Sequence, residues 1–519
     1  MHYLKNIEIT GQFKKAFNLM EKTNNHVFVT GKAGTGKSTL LEYFRSRSKK
    51  KIVVLAPTGV AALNVRGQTI HSFFRFKPDV TIEKIKKRKV RDTSIFKKLD
   101  SIVIDEISMV RADLLDCIDY ALKKYRNSYS KPFDGVQMIF IGDLYQLPPV
   151  VTRSEKNLFN GYYKGAYFFN ANVFQEFQME VVELEKIYRQ KDKKFISILN
   201  SIRNNTVSDK EIEILNRCVG RKFSKDKKIP VITLTTINKK AKEINDYHLL
   251  QLKSKIHIYK ARIKGEFEKQ SYPADEVLRI TKGAQVMLLN NDSSGRWING
   301  TLGEVIEIEN KKDKPDTIIV RLEEGNIVEV IPYEWELFHF VYNEAIDAIE
   351  TKTVGKFIQY PLKLAWAVTI HKSQGKTFQR VVIDFSRGTF APGQAYVALS
   401  RCVSLDGISL TRPFKKGYVF TDPEIVNFLT RYQYNLSERD MPMDEKILRI
   451  QRAIREKKDV EILYLKPNGD KTRRIIKPYD VGEMMYADKP FIGIKAYCDL
   501  RKAERIFRLD RILEIENVG

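Results

Sequence analysis

Cysteine is scarce in this 519-residue chain: there are four, Cys117, Cys218, Cys402 and Cys498, set far apart and without a C-x-x-C pair. That spacing argues against a disulfide framework and against a zinc site, and it fits a reducing compartment such as the cytoplasm. Long apolar runs are missing too. No stretch reaches the roughly 18 residues that cross a bilayer, and residues 1–10 show neither the apolar segment nor the cleavage site of a secretory leader. Acidic residues are outnumbered: 64 Asp and Glu stand against 90 Lys and Arg, a formal net charge of +26. Such an excess points to a polyanionic partner, most often nucleic acid. A lysine-rich composition with no partner is the bland alternative. Core material is plentiful. Hydrophobic residues make up 43% of the chain, a globular rather than disordered content, and the length predicts roughly three or four compact units.

Residues 31–38 read GKAGTGKS, the G-x-x-x-x-G-K-S pattern of a phosphate-binding loop. The flanks are those the loop needs: a β-prone run at 26–30 before it, and helical spacing from Ser38 to Phe44 after it. Gly34 and Gly36 let backbone N–H groups close around phosphates, and the helix N-terminus adds its positive dipole. Gly34, Thr35, Gly36, Lys37, Ser38 and Thr39 are the expected nucleotide-binding residues. Lys37 should reach the β- and γ-phosphates and Ser38 should ligate Mg²⁺. The second half of such a site follows downstream. Residues 101–104 form a buried-strand pattern that delivers Asp105 and Glu106 at its end. Asp105 is the expected Mg²⁺ partner and Glu106 the group that polarises the attacking water. A third strand, 136–141, runs into GDLYQLPPV, where Gln146 is placed to sense the γ-phosphate or position water.

Between these elements, residues 56–62 (APTGVAA) and 67–74 (GQTIHSFF) offer hydroxyls and aromatics at strand ends. They suit a nucleic-acid backbone and stacked bases, or equally a core loop. Six of the eight residues at 84–91 are basic, a solvated helix face or a nucleic-acid-facing insertion. The second half repeats the strand–helix theme without another phosphate loop. Two such domains around one nucleotide imply an arginine that stabilises charge on the transferring phosphoryl group, and Arg189 and Arg401 are the candidates. From about 298 to 359 the pattern changes to short alternating strands with Asn-Gly and Glu-Gly-Asn turns, read as a small inserted β-barrel.

These motifs, in this order, resemble the Pif family of superfamily-1 DNA helicases, over roughly residues 7–435. The resemblance implies an α/β fold of two RecA-like P-loop NTPase domains: 1–182 with a small basic hairpin insertion at about 75–94, and 183–434 with an SH3-like insertion at about 297–360. It implies a 5′→3′ translocase on single-stranded DNA and at single-strand/duplex junctions, driven by ATP and Mg²⁺. Action in replication, repair, recombination or genome maintenance, as a monomer in solution, is the accompanying expectation. Gln12 takes the place of the family's adenine-reading glutamine, Arg189 and Arg401 those of its phosphate-sensing arginines, and Gly375 joins the nucleotide set. Pro57, Thr58, His71 and His371 fall where the family lines its DNA channel, with Gly59, Phe73, Thr235, Asn238, Lys372 and Ser373 beside them.

The tail reads as a separate unit. A polar stretch, 435–443, is the expected linker. Beyond it come an amphipathic helix, a strand at 460–465, an Asn468-Gly469 turn and further strands. Residues 444–519 resemble a WYL domain, which implies a small Sm-like β-barrel. Ile492, Gly493 and Ile494 stand where the naming Trp-Tyr-Leu would be, while Arg501, Arg505, Arg508 and Arg511 are available to phosphates or form a solvated strand face. The expected activity is therefore an ATP-dependent DNA helicase. The competing readings are a DNA-stimulated ATPase that remodels nucleoprotein, or an ATP-switched nucleic-acid-binding regulator working through its tail. Gln146, Arg189 and Arg401 favour the enzyme, because a switch needs no full hydrolysis set.

Overall fold

The computed structural model describes residues 7–517, apart from 91, 152–161, 224–228, 268, 313, 467–470 and 487–488. Arg91 of the basic run and the expected turn at 468–469 lie outside the described residues. The chain divides into two compact units, Met1–Asn200 with Ser208–Val419, and Ser201–Val207 with Phe420–Gly519.

In the larger unit, six parallel strands form one sheet: β1 (His26–Gly31), β2 (Ile52–Ala56), β3 (Gln68–Thr69), β4 (Ser101–Ile104), β5 (Gln137–Ile141) and β6 (Met179–Leu184), in the order β3-β2-β4-β5-β1-β6. Strands β4 and β5 are buried at every position, which is why they read as unbroken apolar runs rather than alternating ones. On this sheet lie the helices Gly11–Lys22 and Lys37–Arg47. Phe13, Ala16 and Met20 from the first and Leu40, Leu41 and Phe44 from the second meet Val27, Val29, Ile139 and Ile141 in one core. Each large side chain so buried contributes about 1.5–3 kcal/mol. Because the strands are parallel, their C-terminal ends share one edge. The phosphate loop, Asp105 and the loop after β5 all leave the sheet there. The expected boundary after residue 182 falls inside β6, which completes this sheet.

A second parallel sheet opens with β7 (Ile232–Thr235). It is interrupted by a run of inserted strands: β8 (His257–Lys260), β9 (Arg262–Gly265), β10 (Val277–Ile280), β11 (Gln285–Leu288), β12 (Leu302–Glu309), β13 (Thr317–Leu322), β14 (Ile327–Val330), β15 (Tyr333–Asn343), β16 (Ala348–Gln359) and β17 (Leu362–Leu364). It resumes with β18 (Ala367–Thr369), β19 (Val381–Asp384) and β20 (Ile408–Leu410), in the order β18-β7-β19-β20. The β insertion starts well before 297. β11 pairs with both β12 and β17, and β9 pairs with β16. The long hairpin β15–β16 reaches the first sheet's side of the unit. At its tip Asp347 pairs with Lys51 (2.7 Å) and Lys98 (3.6 Å) and accepts from the Tyr342 hydroxyl.

The basic run does not form the hairpin that the resemblance implies. It is a short helix, Ile82–Lys87, capped by the Thr81 hydroxyl and anchored by buried Ile85. Lys124 Nζ donates to the carbonyls of Ile85, Lys86 and Arg88 at 2.7–2.8 Å, closing its C-terminal end. A Thr cap followed by Glu83 and Lys residues favours helix over strand.

The stretch expected as a linker is helical up to Asp440. Asp422 caps the helix Pro423–Asp440, Pro423 occupies its first turn, and the break comes only at Met441 and Pro442. The Ser437 hydroxyl lies within 3.0–3.1 Å of the carbonyls of Ile512 and Leu513, so this helix belongs to the smaller unit. There follow the helix Met443–Glu456 and strands β21 (Val460–Leu465), β22 (Lys471–Tyr486), β23 (Lys489–Cys498), β24 (Ala503–Arg508) and β25 (Ile512–Asn517). Among the described residues these strands make one antiparallel sheet, β24-β23-β22-β21-β25, with no pairing that closes it into the expected barrel. Ile450 and Ala453 of the helix pack on Val460, Ile462, Ile476, Ile494 and Ile515.

Candidate functional site

At the end of β1 the chain turns through Gly34 (φ 82°) and Gly36 (φ 88°), conformations that favour glycine. Gly34 is also sterically committed, since a Cβ there would lie 2.6 Å from Cβ of Arg189. Lys37 Nζ donates to the carbonyls of Gly31 (2.7 Å) and Lys32 (3.0 Å), and the Thr35 hydroxyl bonds Lys32 O at 2.9 Å. Ser38 and Thr39 stand exposed in the first helical turn, beside N–H groups that have no partner within the helix.

Asp105 and Glu106 emerge from β4 on the same edge. Glu106 is held in the left-handed region (φ 51°, ψ 44°), a conformation that costs a non-glycine residue about 1–3 kcal/mol and clusters at functional sites. Burial pushes both carboxyl groups above the usual carboxylate range; their mutual repulsion adds to the rise at Glu106, and Lys37 opposes it at both. After β5, Gln146 is buried and donates to Asp143 Oδ2 at 3.2 Å.

The second sheet brings its own groups to this edge. The Tyr396 hydroxyl accepts from the Ala33 amide of the phosphate loop at 3.0 Å. Arg401 is 1% exposed and bonds Val397 O (2.9 Å), Ser400 Oγ (3.0 Å) and Lys376 O (3.4 Å). Burial, then repulsion by Arg189, lowers its pKa to about 9, while Glu106 draws it back up. Arg189 lies between the halves, its guanidinium 3.3 Å from Ser400 O and 3.4 Å from Gly375 O, and burial lowers it too. Gln190 Nε2 adds bonds to Ser400 O and Cys402 O, both 3.0 Å. Gln374 Nε2 reaches across to Glu106 Oε2 (3.1 Å) and Gln146 Oε1 (3.2 Å). Gln12 bonds Glu185 at 3.3 Å, at the start of the segment that carries Arg189. Lys37, Asp105, Glu106, Gln146, Arg189 and Arg401 thus meet at one place. Gln374, Tyr396 and Gln190 belong with them and were passed over by sequence reasoning. Gln374 and Gln190 sit next to chosen residues, and that adjacency was the available signal.

The expected DNA-facing residues separate into two groups. Thr58, Asn238, His371 and Lys372 are exposed, and Pro57, Gly59 and His71 are half-buried. Three others do not face solvent. Phe73 is 6% exposed because it packs on Phe74, Phe96 and Phe340. Ser373 is fully buried with its hydroxyl on Ile370 O, and Thr235 is buried where β7 ends. As placed, none of these three side chains can stack a base or meet a phosphate.

Two parallel sheets of this kind, one supplying a phosphate loop with an acidic strand end and the other an arginine to the same edge, define a P-loop NTPase with paired RecA-like halves. The PIF1-like helicase family matches residues 8–213, and the WYL domain family matches 445–517. The ATP-dependent DNA helicase Pif1 of Bdellovibrio bacteriovorus is 32% identical over 438 residues, covering 82% of this chain and 93% of that protein. The crystal structure of Bacteroides sp Pif1 in complex with ADP-AlF4 superposes with a TM-score of 0.75 at 38% identity, covering 83% of this chain and 98% of that one. Bacteroides Pif1 bound to ssDNA matches at 38% identity with a TM-score of 0.61 and the same coverages. The chain belongs to the PIF1-like helicases, and its C-terminal unit carries a WYL domain.

Proposed function

We propose that this chain is an ATP-driven DNA helicase that moves 5′→3′ along single-stranded DNA and opens duplex or folded DNA ahead of it. The observation that carries the reading is the meeting of Arg189 and Arg401 with the phosphate loop and Glu106, since one nucleotide bound there would report to both halves. In this reading Lys37 pairs with the β- and γ-phosphates and Glu106 orients the attacking water with Gln146. Arg189 and Arg401 stabilise the charge of the transferring phosphoryl group, a role worth roughly 10³–10⁵ in rate. Gln12 reads the adenine, and Gly375 borders the phosphates.

The Ser38 hydroxyl and the Asp105 carboxylate are oxygen donors that suit a hard divalent ion such as Mg²⁺. The burial that raises Asp105 also favours a cation beside it. Among the described residues no group of three or more His, Cys, Asp or Glu could hold a metal on its own, so the ion would be shared with the triphosphate. Mg²⁺ there would neutralise phosphate charge. DNA lies across Pro57, Thr58, His71, Asn238, His371 and Lys372, and the WYL unit offers a second contact through exposed Arg501 and Arg505. Its Arg508 already pairs with Asp510 at 2.7 Å. The protein works as a monomer.

The test is an ATPase and unwinding assay on forked DNA carrying either a 5′ or a 3′ single-stranded tail. DNA-stimulated hydrolysis with unwinding from the 5′ tail is the expected result. Stimulated hydrolysis without unwinding from either tail would favour a remodeller, and binding without stimulation a regulator.

A further inference from the structure

Six consecutive residues, 371–376, touch both faces of the site. His371 and Lys372 are exposed on the side expected to meet DNA. Ser373 turns inward and fixes the tight turn through Ile370 O (2.7 Å), while the Ile370 amide bonds Thr235 O (2.9 Å) at the end of β7. The Gly375 carbonyl accepts from Arg189 and the Lys376 carbonyl from Arg401. Just before them Gln374 spends its amide nitrogen on Glu106 and Gln146. A primary amide has two N–H donors, and two acceptors lie within reach. The NH₂ end faces Glu106, whose Oε2 accepts from it at 3.1 Å. Gln374 lies three residues after His371 in the same turn.

We propose that Gln374 is a positioning residue for hydrolysis, setting the orientation of Glu106 and Gln146 according to whether nucleic acid engages the turn at His371 and Lys372. This rests on the helicase reading above. Glu106 occupies an unfavourable backbone conformation, and its side chain accepts from Gln374. Gln374 is a contact from the opposite half, and it moves with the DNA-facing turn. Without it Glu106 keeps its place in the chain but loses its tie to that turn.

The experiment compares wild type with Gln374→Leu, which keeps the bulk and removes the donors, and with Gln374→Glu, which keeps the shape and cannot donate to a carboxylate while ionised. ATP hydrolysis is measured with and without oligo(dT), and oligo(dT) affinity separately. The expected result is a fall of at least tenfold in DNA-stimulated kcat, with KM for ATP and oligo(dT) affinity within twofold of wild type. Combining Gln374→Leu with Gln146→Ala should cost much less than the product of the two single effects, because both act on one group. DNA-stimulated kcat within twofold of wild type in both variants would overturn the proposal. So would multiplicative effects in the double variant, or losses of kcat, KM and DNA affinity that track a lowered Tm. Wild-type protein whose hydrolysis ignores DNA would overturn the helicase reading itself, a result separate from any variant.

Discussion

At the scale of single residues, the two ends of the catalytic pair should fail differently. Lys37→Ala removes a charge aimed at the phosphates, so KM for ATP should rise as kcat falls, with roughly 10²–10³ lost in kcat/KM. Glu106→Gln keeps shape and hydrogen bonding but removes the base, so nucleotide affinity should stay near wild type while kcat drops roughly 10²–10⁴-fold. Near-normal turnover in Glu106→Gln would remove that residue from water activation. A second residue-scale effect concerns His26, whose ring lies edge-on to Phe133 and Phe177 and accepts the Met138 amide at Nδ1 (3.0 Å). Burial lowers its pKa from 6.5 to about 4. The unfolded chain therefore takes up a proton near pH 6.5 that the folded chain refuses until about pH 4. Its contribution is complete above the higher value and fades as pH falls through that window, by about 3 kcal/mol in all. Urea melts between pH 7 and pH 4.5 should show this slope, and His26→Asn, whose amide oxygen replaces Nδ1 as acceptor, should flatten it.

At the scale of elements, the helix Gln394–Leu399 starts at Gly393, which has φ 72° and sits so close to the loop after β5 that a Cβ would lie 2.2 Å from Tyr145 O and 2.8 Å from Gln146 O. Gly393→Ala should lower stability by about 1–3 kcal/mol and reduce kcat by displacing Gln146. A variant with wild-type Tm and kcat would show that the loop adapts freely. The elements also explain what could be read in advance. Residues 26–38, 101–106 and 136–146 were legible because a parallel strand that feeds a glycine loop or a carboxylate leaves a local signature. Burial of Phe73, Ser373 and Thr235 was not legible, because it depends on partners such as Phe340 that lie hundreds of residues away. The helical nature of 435–440 was hidden by its polar exposed face; what fixes it is Ser437 meeting β25. Gln374 was overlooked since only the fold places it opposite Glu106.

At the scale of the whole molecule, a net charge of +26 makes single-strand binding a matter of phosphate neutralisation. Affinity for oligo(dT) should fall with salt at a log–log slope of about −0.7 per phosphate contacted, and a flat profile would argue against a phosphate-tracking channel. Ending the chain at Val419, which removes the Phe420–Gly519 part of the smaller unit, should weaken oligo(dT) binding more than basal hydrolysis, because a tethered second site raises local DNA concentration. Unchanged affinity would take the WYL unit out of DNA binding, and raised basal hydrolysis would make it a brake. Such salt series also touch the β15–β16 hairpin. Its tip is fastened by Asp347, an exposed carboxylate held down to about 2 by Lys51 and Tyr342. Contacts of that kind are screened by the same ions that compete for DNA. The charged contact at the hairpin tip therefore weakens as salt rises, while Phe340 keeps its packing on Phe73 and its amide bond to Gln68 (3.2 Å) farther down. Asp347→Asn removes the charge pairing at the tip in any buffer, and the difference between the two salt profiles reads out how far that contact bears on the grip on DNA.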